Sequence, residues 1–199
     1  ISRGLVGSEM CIRDRDSEHS AIWQCIKNEE DKYVKSIVIT ASGGSLRDMP
    51  IKELSSVTPE IVLNHPTWNM GDKITVDSAT LINKVFEVKE AANLFDIPLE
   101  DIEVIFHDES IIHGMANMVD GNSLALLSEP NMRIPILYAL FYPKRVMSKN
   151  IKKIDLTKLG KLSFRNRDKK KLNFYNFGIE AISNSNLGAS FLVGSDQAV

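Results

Sequence analysis

The sequence predicts an α/β (α+β) fold: a mixed β-sheet packed with helices, followed by a linker and the start of a helical domain. Three observations carry that prediction. Lys35-Ser36-Ile37-Val38-Ile39-Thr40 is a short β-branched, apolar run, the mark of a buried strand. Segments 110–115 and 123–127 flank Asp120-Gly121-Asn122, a hairpin turn signal. Apolar residues recur at helical spacing over 18–28, 79–95 and 132–142. Strands and amphipathic helices interspersed in this way pack as layers around one core.

The totals set limits. A chain of 199 residues, 43% hydrophobic and 25% charged, has the balance of an ordinary globular protein of one domain or two small ones. A net charge of -2 gives no general argument for nucleic acid or an anionic membrane. Two cysteines, Cys11 and Cys25, make no disulfide framework and point to a reducing compartment. No apolar run is long enough to span a bilayer, and residues 1–15 lack the apolar core of a signal peptide. Those fifteen residues have no clear period and are set aside as a leader or an artefact. The chain opens on Ile1 and stops at Val199 without a terminating signal, so both ends read as cut.

Asp16-Ser17-Glu18-His19 opens the first helix, with Asp16 or Ser17 as cap and Ala21, Ile22, Cys25 and Ile26 as its apolar face. Two readings of Asp16 and Glu18 stand: acids that suit the helix dipole, or hard oxygen ligands for a divalent cation. His19 reads as structural. The strand at 35–40 runs into Ala41-Ser42-Gly43-Gly44-Ser45, which is either a plain turn or a turn offering N–H groups and a hydroxyl to a phosphate. It is neither GxGxxG nor GxxxxGK[ST], so no standard nucleotide fingerprint is present. Two short helical segments occupy 50–64, the second started by Thr58-Pro59-Glu60. His65-Pro66-Thr67-Trp68-Asn69-Met70-Gly71 is a loop, read either as a lid or as a surface loop pinned by Trp68. Lys73-Ile74-Thr75-Val76 reads as a brief strand.

The stretch from Asp77 to Glu87 reads as a helix start. Asn83, Lys84 and Glu87 lie near one face at three- and four-residue spacing, with Ser78 and Thr80 at the N-terminus. It is either a phosphate cradle with a metal carboxylate further along, or a capped amphipathic helix. A strand follows at 101–107, then the hairpin. His107 and His113 on these strands are ligands or satisfied core groups. Residues 129–135 form a polar loop leading into a helix that ends near Phe141. The basic segment after it reads as a linker with a short strand at 161–164, and Lys169-Lys170-Lys171 as solvated charge rather than a nucleic-acid contact. A helical pattern resumes at 173.

Taken in order, DSEH at 16–19, ASGG at 41–44, HPTWNMG at 65–71, DSATLINKVFEV at 77–88, SIIHGM at 110–115 and EPNMRIPI at 129–136 resemble the 1-deoxy-D-xylulose 5-phosphate reductoisomerase family. The resemblance is close from Asp16 to Arg145 and looser to Val199. It implies conversion of 1-deoxy-D-xylulose 5-phosphate to 2-C-methyl-D-erythritol 4-phosphate, a step of non-mevalonate isoprenoid synthesis, with NADPH and a divalent cation (Mg²⁺, Mn²⁺ or Co²⁺). Asp16, Glu18 and Glu87 then resemble the metal carboxylates. Ser17 resembles a substrate contact beside the metal, and Ser42, Ser78, Asn83 and Lys84 the phosphate site. His65 and Trp68 resemble the lid over the substrate, and His113 a histidine lining the active site. Gly71 and Met132 resemble the cofactor side. Glu18, Glu87, His65 and His113 are the implied catalytic residues, with Glu87 also touching substrate.

The family also implies a homodimer acting on a small sugar phosphate, in the cytoplasm of a bacterium or in a plastid, with no nucleic-acid or membrane partner. The matching domains would be a central catalytic unit at 16–145, a linker at 146–170 and a C-terminal helical domain begun at 171–199. The family's N-terminal NADPH-binding domain, and an upstream lysine near the substrate, are expected to be missing, because only residues 1–15 precede the DSE motif and they do not match, with Arg13-Asp14-Arg15 in place of the family's usual residues. The expectation is a fragment without turnover of its own. The alternative is a non-catalytic module that self-associates through the strands from 102 to 127.

Overall fold

The computed structural model describes residues 16–166 and 173–184. The main helices are α1 (Ser17–Ile26), α2 (Pro59–Leu63), α3 (Asp72–Thr80), α4 (Ile82–Phe95), α5 (Arg133–Phe141), α6 (Leu156–Leu159) and α7 (Asn173–Ser183). The strands are β1 (Val34–Ala41), β2 (Ile102–Phe106), β3 (Ile112–Met118) and β4 (Ser123–Leu127), in the order β2-β1-β3-β4. β1 pairs parallel with β2 and antiparallel with β3, and β3 and β4 form the expected hairpin. Its turn closes with Gly121 N–H donating to the Met118 carbonyl at 3.1 Å, and Gly121 has φ +91°, which glycine adopts without penalty.

β1 is the centre of the sheet because its sequence can be buried on both sides: Ile37 through Ala41 are all buried. Ile22 of α1, Ile37 and Ile39 of β1, Val85 of α4, Val104 of β2 and Ala116 of β3 share one apolar cluster. Tyr175 and Ile182 of α7 belong to the same cluster. Trp23 and Tyr138 form a second, smaller cluster that fastens α5 to α1.

Three expectations are corrected. Residues 73–76 are helical, inside α3, not a strand. The Thr75 hydroxyl donates to the Gly71 carbonyl at 2.9 Å, and Lys73 pairs with Asp77 one turn on at 3.0 Å. These local bonds outweigh a weak β-propensity. The helix expected over 79–95 is broken at Leu81, whose φ is +60°. Ser78 and Thr80 therefore sit in the last turn of α3 and not at a helix start. The Leu81 side chain is only 2% exposed, and burial holds the backbone in this sparsely populated conformation.

No strand forms at 161–164; Arg165 makes a single antiparallel bridge with Phe106. This part of the basic segment is docked rather than solvated. Arg165 pairs with Asp48 at 2.9 Å and Asp108 at 3.0 Å, and Ser163 bonds Glu109 at 2.8 Å. Residues 1–15, the lysine run and 185–199 lie outside the described residues. Among the described residues, no helix is long and apolar enough to cross a membrane.

Candidate active site

α1 enters against β3 because Gly114 leaves room for it. A Cβ there would lie 2.7 Å from Ile22 Cγ1 and 3.0 Å from the Glu18 carbonyl. The first turn of α1 thus faces the first turns of α4, and a cavity of about 190 Å³ opens between them. Asp16, Ser17, Glu18, Ser42, Trp68, Ser78, Asn83, Lys84, Glu87, His113 and Met132 all line it. Segments as far apart in the chain as Asp16 and Met132 are brought together.

At its centre the Lys84 ammonium bonds the carboxylates of both Glu18 and Glu87; its bonds to Glu87 measure 2.7 and 3.0 Å. The break at Leu81 starts α4 so that Lys84 and Glu87, three residues apart, turn into the cavity. Each carboxylate has a neutral donor as well: Ser17 Oγ–H to Glu18 at 2.7 Å, and the Asn83 amide to Glu87. His113 Nδ1 lies 3.1 Å from Ser17 Oγ. Burial pushes Glu18 up, but Lys84, His113 and Ser17 more than offset it and hold the carboxyl at about 2. Burial raises Glu87 well above the ordinary range and the charge of Glu18 adds to this, against the pull of Lys84. Burial lowers the pKa of Lys84, but the two carboxylates overcome it and keep the amine firmly protonated.

Hydroxyls of Ser42 and Ser78 line the same cavity. His65 Nδ1 accepts the N–H groups of Thr67 at 3.1 Å and Trp68 at 2.9 Å. Its proton is therefore on Nε2, which faces Ser42 Oγ at 3.0 Å and Ser78 Oγ at 3.4 Å. Burial first, and then the nearby Arg47 charge, lowers the pKa of His65. His65 stands behind the two serines and is not part of the cavity wall. Trp68 reaches the wall and meets His113 edge to face at 6.1 Å. Gly71 is exposed, at the N-cap of α3, and outside the cavity lining.

Asp16, Glu18 and Glu87 line one cavity, yet their oxygens do not converge. Asp16 leans towards His19, 3.4 Å away, and the group of ligand atoms within 4.8 Å of one another is Asp16, His19 and Glu90. Lys84 stands between the other two carboxylates. The hard oxygen donors of Glu18 and Glu87 share one ammonium, and with Asp16 on the same cavity wall they fit a divalent cation chemically. His107 is outside the cavity lining: fully buried, it bonds the Ser163 carbonyl at 2.9 Å and stacks on Phe164. Sequence reasoning missed Thr40, Asn69, Met70, Ile74 and Ser110 in the lining, which carry no distinctive spacing. It also missed Arg47, which bonds the Ser42 carbonyl at 2.8 Å.

Residues 12–95 match the family model described as the 1-deoxy-D-xylulose 5-phosphate reductoisomerase C-terminal domain. Residues 127–199 match a second, the DXP reductoisomerase C-terminal domain. The chain belongs to the 1-deoxy-D-xylulose 5-phosphate reductoisomerase family. The reductoisomerases of Bacillus pumilus (strain SAFR-032) and Bacillus subtilis (strain 168) are each 49% identical to it over 166 residues, covering 83% of this chain and 43% of theirs. The chain thus spans less than half the length of these curated relatives. A reductoisomerase from Zymomonas mobilis in complex with NADPH superposes with a TM-score of 0.77 at 39% identity, over 90% of this chain and 49% of that one. A DOX-P reductoisomerase in complex with NADPH, fosmidomycin and magnesium gives a TM-score of 0.77 at 35% identity, over 89% and 49%. The two family models leave 96–126 between them, the stretch that holds β2, β3 and His113.

Proposed function

We propose that this chain carries the cation- and phosphate-binding part of a reductoisomerase that converts 1-deoxy-D-xylulose 5-phosphate to 2-C-methyl-D-erythritol 4-phosphate with NADPH. The observation that carries this reading is one cavity lined both by Asp16, Glu18 and Glu87 and by the hydroxyls of Ser42 and Ser78. Asp16, Glu18 and Glu87 would hold the cation, magnesium as in the related structure or manganese. When bound, it supplies Lewis acidity towards substrate oxygens.

The chain's own residues then divide the work. Ser42, Ser78, Asn83 and Lys84 hold the phosphate, which fixes the substrate far from its reacting carbons. His65 donates to the serines and so aims their hydroxyls, while Trp68, on the same loop, closes over the substrate and limits water. Ser17 and His113 orient Glu18 and face the reacting end. For the nicotinamide, Met132 offers a wall of the cavity, whereas Gly71 lies outside it.

The same reading takes a second copy of the chain at the sheet edge formed by β4, where exposed and half-buried residues alternate. It places the protein in a bacterial cytoplasm. Calorimetric titration with 1-deoxy-D-xylulose 5-phosphate tests the assignment. Ser42→Ala and Ser78→Ala should each weaken binding about tenfold, near 1.4 kcal/mol for a charge-assisted hydrogen bond. Affinity unchanged in both variants would reject the phosphate site.

A further inference from the structure

We propose that the Lys84 ammonium is an internal counter-cation that exchanges places with the divalent cation, so that cation and phosphate bind cooperatively. The inference rests on the reading of Glu18 and Glu87 as cation ligands and of Lys84 as a phosphate contact. Three features of the cavity support it.

First, Lys84 Nζ is buried and bonds both carboxylates at once. A cation ligated by Glu18 and Glu87 needs oxygens that the ammonium already holds, and two positive charges on the same oxygens repel. Cation and ammonium therefore compete.

Second, each carboxylate has a donor that does not leave with Lys84. Ser17 holds Glu18, and one N–H of the Asn83 amide holds Glu87 while its second N–H serves the phosphate. These neutral bonds keep the acids aimed when the ammonium departs, so that displacement does not collapse the site.

Third, Ser42 and Ser78 line the same cavity as Lys84, and His65 prepares their hydroxyls for an anion. A phosphate there gives the flexible lysine a second partner of opposite charge. Phosphate draws the ammonium off the acids and uncovers the cation site. By linkage, the cation raises phosphate affinity by the same factor.

The experiment counts free Mn²⁺ by electron paramagnetic resonance, using the 199-residue chain with and without inorganic phosphate. Phosphate should tighten Mn²⁺ binding about tenfold in the wild type, within the usual range of coupling between sites. In Lys84→Met, Mn²⁺ alone should bind at least as tightly as in the wild type, and phosphate should no longer tighten it. Tightening that persists in Lys84→Met would mean direct attraction between phosphate and cation, and would overturn the proposal. So would wild-type Mn²⁺ binding that ignores phosphate. Absence of Mn²⁺ binding altogether would instead overturn the assignment of the acids.

Should Lys84→Met fail to fold by circular dichroism, the lysine Hζ–Nζ resonances of the wild type decide. The Lys84 signal should move on adding phosphate alone and again on adding Mg²⁺ alone. A signal that stays fixed in both titrations overturns the exchange.

Discussion

His19 is buried between charges that fix its protonation. Its Nε2 faces the Glu87 carbonyl at 2.9 Å and must donate, while Nδ1 faces Asp16 at 3.4 Å and Glu90 at 3.9 Å. Burial alone would lower its pKa, but Asp16 and Glu87 together raise it from about 6.5 to about 9. Its folded value is thus above the unfolded one. The stabilisation is full below about pH 6.5 and is lost as pH rises through 9. The thermal midpoint should fall across that window, and His19→Gln should flatten the slope; an unchanged slope in the variant would contradict the imidazolium. The sequence reads His19 as structural, and the side chain is buried and outside the cavity lining. The sequence did not reveal the partners, because Glu87 and Glu90 lie some seventy residues away. His65 makes a second case: His65→Gln should weaken inorganic phosphate about tenfold by calorimetry, through the loss of the bonds that aim Ser42 and Ser78.

At the scale of elements, the turn after β1 and the end of α3 are built against each other. Gly44 has φ +67°, and a Cβ there would lie 2.6 Å from the Ala79 Cα and the Ser78 carbonyl. Both clashes are with backbone, which has no rotamer by which to yield. Gly44→Ala should cost on the order of 2 kcal/mol or more in urea unfolding and should also displace Ser78. A loss of only a few tenths would show that the turn is loose. The hairpin, α1 and β1 were legible because period and turn chemistry agree there. The break at Leu81 was not, since leucine is a strong helix former and only tertiary burial holds it left-handed. Residues 73–76 read as a strand for a related reason: Ile74, Thr75 and Val76 are β-branched, and the bond from Thr75 to Gly71 that favours the helix depends on the folded backbone.

Across the whole molecule, one core joins the first described helix to the last. Ile182 of α7 is 3% exposed and packs in the cluster that holds Ile22 and Val85. Ile182→Ala should lower global stability by about 2–4 kcal/mol in a single cooperative transition. Two separate transitions would instead favour an independent C-terminal helical unit, as expected from the sequence boundary at 171. Order of motifs let the family be read from the chain, but not how its charges pair: the acids were expected around a cation, and Lys84 stands among them. Calorimetric titration of Mn²⁺ into the wild type and Glu87→Gln tests whether these acids hold a cation. A stoichiometric site is expected in the wild type, weakened at least about tenfold in the variant, because a neutral amide replaces a charged oxygen ligand. Equal affinity in the two proteins would contradict that reading of the acids.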